Sequence, residues 1–280
     1  MKKTAILISM ILLAQFVISQ KAISVAKSGT GSHIIFLPGF TVPGSVWEET
    51  IKNLDKSYTS HLVSYAGFDG LKAIDTPWYD AIKKQLADYI RNEKLSNITL
   101  IGHSMGGNLG VDIAAEMPDR VAGLIIIESL PCMRELMMPG VPASSVTYNN
   151  SYNTRLLVVS PEDFKKMVNG TSAYMTNVTS KVEELNNWSI KADRKTYVYG
   201  YTDLLKLDLR DRLSAINTQT LILGASFPDK KVILSNYEKQ YSNLKNKEIV
   251  IADSSKHFIM FDQPAWLYAQ VNNYLNKHAK

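Results

Sequence analysis

The most constraining feature of this chain is a serine with a glycine two positions away on either side, Gly102-His103-Ser104-Met105-Gly106. An apolar run, residues 97–101, precedes it, and an amphipathic run, 104–117, follows it before Pro118. A serine on a sharp turn between a strand and a helix must take strained backbone angles. Small residues around it let the chain fold back tightly. The turn exposes the hydroxyl, and the Met105 amide at the positive end of the helix faces any oxyanion that forms there. In this strand-to-helix setting the motif marks a nucleophile.

The rest of the chain alternates in the same way. Short apolar runs at 33–37, 61–65, 97–101, 121–127, 220–223 and 248–251 read as strands. Residues 121–127 are the most apolar of these, as a central strand requires. Helical periodicity appears at 78–93, 104–117, 232–244 and 264–274, with Pro264 in a first helical turn. Residues 22–27 add one short strand at most. The expectation is an α/β fold with a mostly parallel sheet of six to seven strands flanked by helices.

Residues 131–201 break this rhythm. Met133, Leu136, Met137, Met138, Met167 and Met175 concentrate here, among many Tyr, Asn and Ser. The segment reads as an inserted helical cap between core segments 20–130 and 202–280. Its methionines suit either an adaptable apolar pocket or ordinary core filling.

Residues 1–19 read as a secretory signal peptide, with Lys2 and Lys3 before an apolar stretch too short to span a bilayer comfortably. Cleavage before Gln20 would leave no stable membrane anchor, and the mature chain is expected in the periplasm or outside the cell. Cys132 is the single cysteine, so no internal disulfide is possible. The net charge of +5 comes without a basic stripe interleaved with aromatics, which argues against nucleic acid as partner. No spacing of His, Cys and acidic residues suggests a metal, and no phosphate loop suggests a cofactor.

Together with the serine motif, Ile34-Ile35-Phe36-Leu37-Pro38-Gly39-Phe40, Trp47, Pro118-Asp119-Arg120-Val121 and Asp208-Leu209-Arg210-Asp211-Arg212-Leu213 resemble the α/β-hydrolase family over nearly the whole chain outside the insertion. The family often has His-Gly where this chain has Pro38-Gly39. The resemblance implies backbone amides of Phe40 and Met105 as oxyanion donors. It also identifies 131–201 with the family's cap. Dehalogenases and epoxide hydrolases of this fold use an aspartate nucleophile, so Ser104 points instead to acyl chemistry.

His257, between the last strand and the last helix, is the expected general base, in the chain order this fold uses. His33, His61 and His278 stand at strand starts or in the tail, and His103 within the turn reads as structural. Two carboxylates compete for the third role. Asp229 follows the fifth long strand, two residues later than the usual family position, and is equally suited to cap the next helix. Glu128 ends the most apolar strand, a position similar to that of the acid in haloalkane dehalogenases and coelenterazine luciferase relatives. Glu128 is favoured over Asp229. The expected activity is hydrolysis of a small carboxylic ester or related acyl substrate through an acyl-enzyme, with no cofactor. A perhydrolase or acyltransferase using the same residues, a ligand-sensing protein with little turnover, and a lipase with an exposed apolar lid are the rival readings.

Overall fold

The computed structural model describes residues 20–278; the expected signal segment lies outside them. Seven strands form one sheet: β1 (Ile23–Ser28), β2 (His33–Leu37), β3 (Thr59–Tyr65), β4 (Ile98–His103), β5 (Val121–Ile127), β6 (Thr220–Ala225) and β7 (Lys247–Ala252). Their spatial order is β1-β3-β2-β4-β5-β6-β7. β1 pairs antiparallel with β3, and every other pairing is parallel. The sheet therefore has the strand number and direction expected from the alternating pattern.

The parallel strands are apolar on both faces because helices cover both. In β2, Ile35 and Leu37 face one core layer and Ile34 and Phe36 the other. β5 repeats this division, with Leu124 and Ile126 on one side and Ile125 and Ile127 on the other. α1 (Glu48–Lys52) lies between β2 and β3 in the chain, and α2 (Trp78–Asn92) between β3 and β4. α2 buries Tyr79, Ile82, Leu86 and Ile90, spaced so that they share one stripe. α3 (Met105–Glu116) packs in the same layer as α2.

Between β5 and β6 the chain runs through five helices: α4 (Met133–Met137), α5 (Ser151–Val158), α6 (Pro161–Ala173), α7 (Thr179–Lys191) and α8 (Arg194–Lys206). α8 continues past Tyr201 to Lys206, because its buried positions Thr202, Asp203 and Leu204 still face the protein. Ser160 and Asp193 cap α6 and α8 by accepting hydrogen bonds from the amides of Asp163 and Thr196. After β6 come α9 (Lys230–Gln240), α10 (Ile259–Asp262) and α11 (Pro264–His278). α11 closes the second layer with Leu267, Val271 and Leu275. Among the described residues no helix is long and apolar enough to cross a membrane.

Asp203 ties the inserted helices to the core. Its carboxylate accepts hydrogen bonds from the amides of Trp78 and Tyr79, at 2.8 and 3.2 Å, and from the Tyr148 hydroxyl. The amides are the free donors at the start of α2, so one buried carboxylate joins α8, α2 and the approach to α5.

Candidate active site

β4 ends at His103 and α3 begins at Met105, which leaves Ser104 alone in the turn with φ 54° and ψ −123°. Such angles are unfavourable for a serine and persist only where surrounding structure imposes them. Ser104 donates its amide to the Ile127 carbonyl at 2.9 Å, and its own carbonyl accepts from Gly107 at 2.8 Å. A Cβ at Gly102 would lie 2.2 Å from the Gly106 carbonyl oxygen. A Cβ at Gly106 would lie 2.0 Å from the Leu37 carbonyl oxygen. Gly102 thus lets the chain fold back on its own turn, and Gly106 lets it pass this closely over the end of β2.

His257 lies in the loop between β7 and α10. Its Nδ1 is 3.2 Å from Glu128 Oε2. The other carboxylate oxygen of Glu128 accepts from the Ala225 amide at 2.8 Å and the Tyr237 hydroxyl at 3.0 Å. Burial, with the nearby Glu128 charge, pushes the Tyr237 hydroxyl far above its usual pKa, so it remains a donor. Glu128 has φ 47° just beyond β5. Three donors satisfy a carboxylate that would otherwise be expensive to hold at 16% side-chain exposure.

Asp229, the other carboxylate considered, is exposed and caps α9, accepting from the amides of Lys231 and Val232 at 3.0 Å. The structure brings Glu128 to His257 and places Asp229 at a helix end. Phe40 stands beside Ser104 in one cavity, its ring packed edge-on to Phe68 and Trp78 at centroid distances of 4.9 and 5.6 Å. Met105, the first residue of α3, is buried. Its amide is one of the donors that a helix start leaves without an intrahelical partner.

His103 does more than the sequence suggested. Its ring lies 4.7 Å from that of His257, and its Nε2–H donates to the His257 carbonyl at 3.0 Å. Burial, reinforced by His257, holds its pKa well below the ordinary histidine value, so it stays neutral. Donation from Nε2 to a carbonyl assigns the remaining proton and leaves Nδ1 as an acceptor.

Asp262 is the other residue that sequence reasoning passed over. Its carboxylate accepts from the Lys256 amide at 2.7 Å, the Thr176 hydroxyl at 2.6 Å and the Asn177 amide at 2.8 Å. The Phe258 amide donates to the Met175 carbonyl at 2.9 Å. Both neighbours of His257 are therefore fastened to the turn between α6 and α7. No local pattern signals this, because the partners lie far apart in sequence.

Ser104 and His257 open into a cavity of about 800 Å³ roofed by the inserted helices. Met133, Met137, Met138, Met167 and Met175 all line it, with Leu156, Val168, Tyr197 and Tyr201. Thr41, Asn153, Ser189 and Thr202 supply hydroxyl and amide groups. No Lys, Arg, Asp or Glu is among the lining residues. Among the described residues no group of three or more His, Cys, Asp or Glu side chains is arranged to hold a metal ion.

The chain is 25% identical over 255 residues to the pimeloyl-[acyl-carrier protein] methyl ester esterase of Wigglesworthia glossinidia brevipalpis, covering 89% of this chain and 95% of that protein. In structure it is similar to an esterase from Exiguobacterium antarcticum, with a TM-score of 0.76 at 21% identity, covering 91% of this chain and 95% of that one. It is also similar to the enol-lactonase from Burkholderia xenovorans LB400, with a TM-score of 0.75 at 13% identity over 91% and 96% of the two chains. A sequence model of the alpha/beta hydrolase family matches residues 34–270, which include the serine turn, Glu128 and His257. With that match spanning the whole sheet from β2 onward, and Ser104 raised on its turn at the sheet's carboxyl edge, the chain belongs to the alpha/beta hydrolase family.

Proposed function

We propose that this hydrolase cleaves an uncharged carboxylic ester with an apolar body, using Ser104 as nucleophile, His257 as general base and Glu128 as the residue that orients His257. The observation that carries the reading is the Glu128–His257 contact at 3.2 Å beside a cavity that Ser104 also lines. An ionised Glu128 accepts the Nδ1 proton of His257. That leaves the Nε2 lone pair free to take the Ser104 proton. Ser104 Oγ then bonds to the ester carbon, and the carbonyl electrons move to oxygen.

The amides of Phe40 and Met105 are the proposed donors to that oxyanion. As the carbonyl reforms, the ester C–O bond breaks and His257 returns the proton to the departing alkoxide. Water, deprotonated by His257, attacks the acyl-enzyme and releases the acid and Ser104. The apolar lining, without ionic side chains, favours a neutral substrate, since an unpaired charge pays a large desolvation penalty there. The relative from Wigglesworthia is likewise named for a carboxylic ester, a methyl ester.

Export is part of this proposal. Lys2, Lys3 and the apolar stretch to Ile18 support removal of residues 1–19 and a periplasmic or released enzyme. The test is hydrolysis of p-nitrophenyl acetate and butyrate by the chain from Gln20, with fluorophosphonate labelling of Ser104. Turnover and labelling that both vanish in Ser104→Ala and His257→Ala support the mechanism. An intact protein that neither turns over nor labels sinks it and favours a ligand-binding role.

A further inference from the structure

Seven residues other than glycine, among those described, have positive φ. Asp69, Lys94, Asn97 and Ser254 are exposed, where little packing restricts the loop. The other three are Ser104 and Glu128, of the proposed catalytic set, and Thr41. Thr41 is the one β-branched residue of the seven, with φ 66° at 7% exposure. A β-branched side chain is poorly suited to that conformation, so its retention in a buried place points to a use.

Thr41 is the third residue of a turn from Gly39 to Val42, closed by the Val42 amide donating to the Gly39 carbonyl at 3.2 Å. Positive φ at the third position is the type II pattern, where glycine is the unstrained choice. The residue before Thr41 is Phe40, the proposed oxyanion donor, and neighbouring Cα atoms lie about 3.8 Å apart. The Thr41 side chain therefore starts close to where the ester carbonyl is held. Its hydroxyl lies 3.2 Å from Ser189 Oγ, on α7. Both residues line the cavity that holds Ser104.

Two hydroxyls carry two protons, and the bond between them uses one. Neither hydroxyl has a second partner among the described residues. Elsewhere in the cavity the donors are occupied. Asn153 donates to Thr202 Oγ1 and to the Tyr148 carbonyl, each at 2.9 Å, and Thr202 donates to the Val198 carbonyl at 2.9 Å. The Thr41–Ser189 pair keeps one proton for whatever enters.

We propose that the Thr41–Ser189 pair recognises a second neutral oxygen in the substrate, an ether, ketone or hydroxyl oxygen within a few bonds of the ester carbonyl. The proposal rests on the esterase reading and narrows it, from a plain alkyl ester to one whose apolar body carries a hydrogen-bond acceptor. A carboxylate is a poor fit, because no Lys or Arg lines the cavity. A hydroxyl pair reaching from the core turn to an inserted helix selects for an oxygen, since its unused donor would otherwise be buried against hydrocarbon.

The test uses pairs of esters that differ by an oxygen in place of one methylene. Ethyl 3-methoxypropanoate and ethyl pentanoate make the comparison on the acyl side, and 2-methoxyethyl butyrate and butyl butyrate on the alcohol side. With no spare donor in the cavity, the alkyl ester of each pair would be favoured about tenfold or more. The chain from Gln20 is expected to hydrolyse at least one ether ester with a kcat/KM equal to or above that of its alkyl counterpart. In Thr41→Gly/Ser189→Ala, which removes both hydroxyls, that ratio should fall about fivefold or more. The ratio cancels changes in folded protein and in cavity size that act on both esters alike. An alkyl preference of about tenfold in both pairs overturns the proposal and leaves the esterase reading standing. So does a ratio that the double variant leaves unchanged. The comparison within the intact protein decides the matter even where the double variant does not fold. Turnover of no ester, p-nitrophenyl acetate included, overturns the esterase reading and this proposal with it.

Discussion

Glu128 and His257 lie 129 residues apart in sequence and meet with 3.2 Å between Oε2 and Nδ1. The contact is a product of sheet order. Glu128 follows β5, His257 follows β7, and β6 between them supplies the Ala225 amide that holds the carboxylate from below. Tyr237, from α9, completes the hold at 3.0 Å.

Replacing Glu128 by Gln keeps the size of the side chain and removes its charge. The ester-hydrolysis rate, kcat/KM, is expected to fall by about a hundredfold or more, as for other triads that lose their acid. Asp229→Ala should leave that rate unchanged and remove only a helix cap, which costs about 1 kcal/mol. A thermal melt of each variant beside its kinetics checks both statements. The opposite pattern of rates would make Asp229 the acid.

Asp262 touches no substrate and acts by holding the His257 loop to the α6–α7 turn. Asp262→Asn is expected to lower kcat about tenfold or more, because small misplacements of a reacting group are costly. KM should move less than kcat. Rates are to be expressed per active site titrated with fluorophosphonate, so that lost protein is not counted as lost catalysis. A kcat per titrated site equal to that of the unaltered enzyme would leave Asp262 a purely structural role.

The glycine at 106 is required by close approach of two backbones. Gly106→Ala puts a Cβ within 2.0 Å of the Leu37 carbonyl oxygen and 2.5 Å of its carbon, neither of which can swing aside. The expected destabilisation is about 3 kcal/mol or more, at the upper end for overpacking. It would appear as a lower melting temperature or as loss of folded protein. A variant as stable as the parent would contradict the tight turn.

His61 makes stability depend on pH far from the active site. It is fully buried at the start of the sheet, with Nε2 2.9 Å from His33 Nδ1 and Nδ1 2.7 Å from the Tyr89 hydroxyl. Burial, then the charges of His33 and Lys27, lower its pKa from 6.5 to about 4. Between these two values the unfolded chain binds more protons than the folded one, so stability falls as pH drops through that window. The contribution is fully present above pH 6.5, and roughly 3 kcal/mol is lost by the time pH reaches about 4. Denaturant unfolding across that window should show the slope in the parent protein. His61→Gln should flatten it, and an equal slope in both proteins would assign the effect elsewhere.

The parallel sheet, its strand number and the serine turn were legible in the sequence because their causes are local. Alternation of apolar and amphipathic runs dictates strands crossed by helices. Gly102 and Gly106 dictate the tight passage around Ser104, and no distant residue is needed to see it. The inserted segment was legible only as a break in rhythm, since its methionines suit a pocket wall and a packed core equally well. Its five helices and the cavity beneath them come from packing against the sheet.

The choice between two carboxylates also lay beyond local pattern. Glu128 and Asp229 each follow a strand, and either is compatible with a histidine after β7. The order β5-β6-β7 and the register of those strands bring the end of β5 under His257, while the Asp229 carboxylate is taken up by the amides of α9. His103, Tyr237 and Asp262 are supports of the same kind, identified by partners that only the folded chain brings near. Backbone geometry at a turn is decided by neighbours in sequence, whereas the partner of a side chain is decided by which strands lie side by side.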